Sequence, residues 1–266
     1  MFDLKRRFLA ALLALSFVLA LAACSGDSSG YRRAGDLGGE ELCAAFREGD
    51  WIRDVMIAGM MTLAADGTLA QLSLKWFGDE DAVYMPEDDS VSDWLENRPQ
   101  RTFILGYYRG AKPLCFEENG AVTGFDAEMF AEICRRLGWE IRYQAIDHGT
   151  AEVELKSGNV DCVAGGYGTD DGADGLSLSP TYLDCDYEIV SLASSGINRK
   201  GELEGKTVGT VASSAMGAAL EADTGLMENI GAVRAFFTED DCFAALNSGM
   251  CDAVIVTSLY ADYCIN

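Results

Sequence analysis

Leu155-Lys156-Ser157-Gly158-Asn159-Val160-Asp161-Cys162-Val163 recurs 91 residues later as Leu246-Asn247-Ser248-Gly249-Met250-Cys251-Asp252-Ala253-Val254. The shared pattern, L-x-S-G-x-x-D-x-V, has the grammar of a helix end passing into a buried strand. Gly158 and Gly249 can adopt the left-handed conformation that terminates a helix. The apolar run after each suits a strand covered on both faces. Two copies of one such unit predict two similar α/β halves.

Elements alternate around each copy. Before the first, Thr102–Gly106 reads as a strand and Asp126 as a helix N-cap, with Phe125 and Phe130 placed for a hydrophobic staple. Met129, Phe130, Ile133 and Leu137 give that helix one apolar face, and Trp139–Tyr143 reads as the next strand. Before the second, Thr207–Val211 is a strand, Ser213 or Ser214 caps a helix through Ala222, and Asp240–Asn247 forms another helix. Such alternation favours mostly parallel sheets with ligands at strand carboxyl ends.

The 266 residues suffice for one large domain or two lobes. With 43 acidic against 20 basic side chains, the net charge of -23 argues against a nucleic-acid partner, because phosphate binding needs clustered Lys and Arg. Nine cysteines include no C-x-x-C pair and there is one histidine, His148, so zinc ribbons and fingers are excluded. The G-x-S-x-G string at Gly26–Gly30 has no strand or helix around it and is not a nucleophile elbow.

Lys5, Arg6 and Arg7, the apolar run Phe8–Leu21 and Leu21-Ala22-Ala23-Cys24 read as a secretory leader. The run is too short for a spanning helix. The small-residue pair before Cys24 resembles a bacterial lipobox, which implies cleavage after residue 23, lipid on Cys24 and a flexible tether over 24–30.

From Phe103 to Asn266 the chain resembles the amino-acid-binding group of extracellular solute-binding proteins, family 3, the capture subunits of ABC importers. The landmarks are Gly124-Phe125-Asp126, Leu155-x-Ser157-Gly158-x-x-Asp161, Leu178-Ser179-Pro180-Thr181-Tyr182, Leu203-x-Gly205-Lys206-Thr207-Val208-Gly209 and Gly249-x-x-Asp252-Ala253. The resemblance implies an α/β, two-lobed type 2 periplasmic-binding-protein fold. It implies a small-molecule solute and an ABC transporter permease as partners, no cofactor, and an extracytoplasmic place on the bacterial membrane through the lipid anchor.

Family members usually continue into a crossover strand and a closing helix ending in Lys-Trp-Phe-Gly. Here the chain stops at Cys264-Ile265-Asn266, while Glu41–Asp50 looks like the crossover and Leu63–Gly78, ending Lys75-Trp76-Phe77-Gly78, like the closing segment. A circular permutation accounts for this order. Asp50 then caps a helix with Ile52, Val55, Met56, Gly59, Met60 and Leu63 on one face, ended by Gly67. The first lobe would comprise 42–194 and the second 31–41 plus 195–266. The acidic segment 79–100 would join the former termini, with Val91, Trp94 and Leu95 able to form a docked turn. Its 22 residues can reach about 70 Å. A monomer is expected, with a swapped dimer as the competing arrangement.

The resemblance places the ligand between lobes hinged near Ile189–Ser194 and Leu42–Phe46. Cleft candidates are Tyr107, Tyr108, Arg109, His148, Tyr167, Gly168, Thr169, Asp170, Ser213, Ser214 and Thr257. The arginine that clamps a ligand carboxylate in the family is replaced by Gly172, and the usual acid after the Asp252-Ala253 landmark by Thr257. Either the ligand is not a standard α-amino acid, or Arg109 supplies the positive charge and Asp170 or Asp171 the negative one. Each tyrosine serves equally well in core packing, and His148 equally well as an ordinary loop residue.

Cys134, Cys162, Cys242 and Cys251 fall at core positions, where cysteine acts as a small hydrophobe, so few bridges are expected. The sequence thus reads as a membrane-anchored binding protein with no catalytic residues and no metal. A cyclohexadienyl-dehydratase-like enzyme on the same scaffold and a sensory ligand-binding module are the alternatives.

Overall fold

The computed structural model describes residues 30–86, 99–172 and 174–265. Cys24, Gly26 and the turn expected at Val91, Trp94 and Leu95 fall outside them.

Strand β1 (Tyr31–Leu42) leads to β2 (Ala45–Arg47) and helices α1 (Ile52–Ala65) and α2 (Thr68–Phe77). There follow β3 (Thr102–Tyr108), β4 (Phe116–Glu118), β5 (Ala121–Thr123), α3 (Phe125–Leu137), β6 (Glu140–Ile146), α4 (Ala151–Ser157) and β7 (Cys162–Ala164). Next come β8 (Leu176–Leu178), β9 (Leu183–Leu192), β10 (Thr207–Val211), α5 (Ala215–Ala222) and α6 (Thr224–Asn229). The described chain ends with β11 (Ala232–Phe236), α7 (Glu239–Asn247), β12 (Ala253–Thr257) and α8 (Ser258–Ile265).

Two five-stranded sheets result, ordered β6-β3-β7-β2-β8 and β1-β9-β12-β10-β11. The expectation of mostly parallel sheets is corrected, for both are mixed. β3 is parallel to β6 and β7, and β10 to β11 and β12. β2 runs antiparallel to β7 and β8, and β9 antiparallel to β1 and β12. The reversed strands include those that bring the chain from one sheet into the other, which must enter against the strand-helix-strand direction.

The repeat occupies equivalent places in the two sheets, and its aspartate explains why. Asp161 N–H donates to Ile104 O and its carboxylate accepts from Ile104 N–H, both at 2.9 Å. Asp252 N–H donates to Thr207 O at 2.8 Å and its carboxylate accepts from Thr207 N–H at 2.9 Å. Each aspartate therefore seals the opening of one parallel strand pair. Gly158 and Gly249 end the preceding helices at φ of 79° and 72°.

Among the described residues the chain passes between sheets twice, at Cys43–Ala44 and at Ser179–Tyr182. These segments lie side by side: Tyr182 N–H donates to Leu42 O at 3.0 Å, and Ala44 N–H to Ser179 Oγ at 2.9 Å. Ile189–Ser194, expected to be a hinge strand, instead begins inside the second sheet, with Ile189 opposite Ile255. An apolar run reads alike for a crossing strand and for a buried one, which is why the sequence misplaces it.

α1 begins as the sequence predicts, with Ile52 N–H donating to Asp50 Oδ1 at 3.0 Å. Ile52, Val55, Met56, Met60 and Leu63 are fully buried in one cluster with Met129, Phe130 and Ile133 of α3. Gly59 permits the close approach of these helices, since a Cβ there would lie 2.5 Å from Ile133 Cγ2.

Asp126 is not the N-cap. α3 starts at Phe125, and its first N–H groups donate to backbone carbonyls: Phe125 to Pro113 O at 3.0 Å and Asp126 to Leu114 O at 2.8 Å. Gly124 makes this possible, because a Cβ at its φ of 121° would sit 2.3 Å from Leu114 O. The Asp126 carboxylate is thereby free to accept from Gly165 N–H at 2.8 Å and Tyr182 Oη–H at 2.9 Å inside the core.

Candidate ligand-binding cleft

The carboxyl ends of β3, β6, β7, β10 and β12 all point toward the gap between the two sheets, the place where open α/β sheets bind ligands. A narrow cavity lies there, with Tyr108, Arg109, Lys112, His148, Gly166 and Asp171 on the first-sheet side. Glu40, Ser214, Ala215, Met216, Glu239 and Thr257 face them from the second. A larger groove, lined by Trp76 and Phe77 of α2 and Leu259 and Tyr263 of α8, lies elsewhere and is walled by helices rather than strand ends.

The end of β3 divides its tyrosines. Tyr107 packs with Cys115 and Ala127 away from the cavity, whereas Tyr108, one residue later on the opposite face, lines it. Tyr108 stacks on His148 with ring centroids 3.9 Å apart and is bonded through its hydroxyl to Asp171. Tyr167 is buried behind Tyr108 and donates its hydroxyl proton to Gly172 O, so it supports the wall without lining the cavity. Thr169 and Asp170 face solvent. Gly168 lies outside the lining but under Glu40: a Cβ at Gly168 would fall 1.8 Å from Glu40 Oε2.

On the second-sheet side, Ser214 is the helix cap, its Oγ accepting from Gly217 N–H at 3.1 Å. Ser213, at φ 55°, sits outside the lining. Thr257 lines the cavity but does not leave its wall uncharged. Glu239, buried at the start of α7, accepts from Thr257 N–H at 2.6 Å and Thr257 Oγ1–H at 2.8 Å.

Glu40, Lys112 and Glu239 are charged cavity-lining residues that sequence reading missed. Glu239 had a local signal, an acid one position after the capping Thr238 and hence in the first turn of a helix beside a strand end. Glu40 had none, because the glycine- and charge-rich β1 has no apolar alternation to show which of its side chains turn inward.

The two basic side chains at the cavity are engaged. Arg109, largely exposed, pairs with Asp147 at 3.6 Å. Lys112 reaches across the cleft to Asp240 at 2.8 Å, and Tyr260 Oη–H donates to the same carboxylate at 2.6 Å. Asp170 N–H makes a second cross-cleft bond to Glu40 Oε2 at 3.2 Å. The halves are therefore in contact at the cavity's rim on both sides.

Burial perturbs the acids facing this space. It raises Glu40 to about 7, with the Asp171 charge adding to the effect, Asp171 to about 6 and Glu239 to about 8. Burial likewise lifts Asp126 to about 7 and pushes His148 down to about 4. The folded chain thus holds carboxyl protons that the unfolded chain, titrating near 4, has already released. Raised acids stabilise fully at low pH and lose that contribution as pH rises through their folded values. His148 acts oppositely only below about pH 6.5, where the unfolded imidazole gains charge. The melting temperature is expected to fall from about pH 6.5 to about 8.5, and Glu239→Gln, which keeps an acceptor for Thr257, to flatten the fall. Thermal melts across that interval check this; a rise would refute the charge placement.

Residues 103–250 match the family described as bacterial extracellular solute-binding proteins, family 3. The chain belongs to this family. This solute-binding protein is 28% identical over 169 residues to the arginine-binding extracellular protein ArtP of Bacillus subtilis, covering 61% of this chain and 64% of that one. It is 27% identical over 110 residues to a probable histidine-binding protein of Campylobacter jejuni, covering 41% and 43%. It therefore spans less than two thirds of the length of these curated relatives.

Among solved structures, an ABC uptake transporter substrate-binding protein from Streptococcus pneumoniae with bound histidine aligns at a TM-score of 0.58. Identity is 26%, covering 66% of this chain and 72% of that one. A structure bound to L-arginine aligns at 0.54 with 29% identity, covering 60% and 66%. The two mixed sheets flanked by helices match the type 2 periplasmic-binding fold of these proteins. The matched proteins are solute-binding proteins, not enzymes.

Proposed function

We propose that this chain is the capture subunit of an ABC importer, closing its two halves around a small polar solute, an amino acid or a compound like one. The observation that carries the reading is the cavity where five strand ends from both sheets meet, bridged by Lys112–Asp240 and by Glu40–Asp170. Relatives named for arginine and histidine support the solute class. Lipid on Cys24 would hold the protein outside the membrane within reach of the permease, with 24–30 as tether.

A ligand that binds only the folded state raises its melting temperature. Screening L-amino acids, amines, small carboxylates and short peptides is expected to reveal at least one compound that adds several degrees at saturating concentration, as ~4 kcal/mol of linkage would. No response across that set would end the proposal. A Cys24→Ser variant is expected to lose membrane retention while keeping the response.

The chain order is read as a circular permutation. Residues 42–77 supply β2, α1 and α2 to the first sheet's core, ahead of the β3 that opens the region matched to the family. Both ends of the described chain belong to the second sheet's core, where Arg33 of β1 bonds Asp262 of α8. A monomer by light scattering at low micromolar concentration is expected; a stable dimer would favour exchange of residues 31–78 between chains.

A further inference from the structure

Three carboxyl groups line the cleft read above as a solute site without a basic partner. Glu40, Asp171 and Glu239 line it from three elements, β1, the turn after β7 and the start of α7. Among the described residues no Lys, Arg or His nitrogen forms an ion pair with any of the three. Arg109 and Lys112, which also border the cavity, are paired with Asp147 and Asp240.

The bonds the three acids do make leave acceptor capacity. Glu239 uses Oε1 for both Thr257 donors and leaves Oε2 free, whereas Glu40 receives Asp170 N–H on Oε2 and is also bonded by the Tyr187 hydroxyl. His148 Nδ1 is buried without a partner in the same wall, and its ring lies on Tyr108. Buried carboxylates are ordinarily paired, and a wall of three lacking cations is completed by a cation from outside.

We propose that the cleft selects a small organic cation, an amine or guanidinium held among Glu40, Asp171 and Glu239, and that it needs no α-carboxylate on the ligand. The inference rests on the cleft being the solute site and adds which charge the solute must carry. A carboxylate brought into this space would meet three acids, with both bordering basic groups already engaged. An ammonium or guanidinium would supply the donors that Glu239 Oε2 and His148 Nδ1 lack.

L-arginine and agmatine differ only in the α-carboxylate, so titration calorimetry with both isolates its contribution. Agmatine is expected to bind within tenfold of L-arginine or more tightly, L-glutamine and L-glutamate at least a hundredfold more weakly, and Glu239→Gln to weaken agmatine at least tenfold. Should that variant misfold, Asp171→Asn serves the same comparison. Agmatine weaker than L-arginine by more than tenfold, or L-glutamine or L-glutamate binding best, overturns the inference and leaves the solute-binding reading standing. Absence of binding by every compound, together with no thermal response to the wider panel, overturns both.

Discussion

A chain that starts at residue 99 is expected not to fold. Residues 42–77 place Phe46, Ile52, Val55, Met56, Met60, Leu63 and Leu69 in the first core, each no more than 3% exposed. At about 1.5–3 kcal/mol per buried large side chain, their loss removes on the order of 10–20 kcal/mol, against a total stability of about 5–15 kcal/mol for a whole domain. The truncation also strips β2 from between β7 and β8 and leaves their backbone groups unpaired. Far-UV circular dichroism and thermal melts should show no cooperative transition in the first-sheet half. Attaching residues 31–86 after residue 265 through a short linker should restore the transition in a monomer, because Arg33 and Asp262 already bring those ends together. A cooperative melt of the truncated chain would contradict the packing described here.

Replacing Asp126 by alanine is expected to lower stability by about 3–4 kcal/mol, because it leaves the buried donors Gly165 N–H and Tyr182 Oη–H without acceptors. For a chain of this size that is a fall of roughly 8–15 °C in melting temperature. Tyr182→Phe in the same background should add little, since its hydroxyl has already lost its partner; the double-mutant cycle measures that coupling. Additive losses would show that the hydroxyl bonds elsewhere. Because Tyr182 stands at the second crossing and Gly165 beside the cavity wall, Asp126→Ala should also weaken any ligand that the cleft binds.

Features set by neighbouring residues were legible in the sequence. Gly158 and Gly249 end helices through their own backbone freedom, and Asp161 and Asp252 bond the opening of an adjacent parallel strand. The face of α1 was readable from its spacing. What failed depended on distant partners. Asp126 looked like a cap because acids before apolar runs often cap; the carbonyls of Pro113 and Leu114, brought close by Gly124, took that role. Ile189–Ser194 looked like a hinge because burial on both faces leaves no mark distinguishing a core strand from a crossing one. In the cleft, Tyr108, Arg109, His148, Ser214 and Thr257 could be placed from strand ends alone. Tyr107 and Tyr167 were drawn in by adjacency, although strand alternation turns one away and the other lies behind Tyr108. Glu40 was invisible, for its place depends on β1 pairing with β9 and reaching the turn after β7.

The central claim is that solute binds where the two sheets face each other. Hydrogen exchange of the full chain, with and without the compound that most raises its melting temperature, tests it directly. The account predicts slowed exchange in residues 108–112, 166–172 and 212–217 and at Thr257, segments far apart in the chain that meet only at the cavity. Protection confined to α2 and α8, around the groove of Trp76 and Tyr263, or no change in any of the predicted segments, would contradict it.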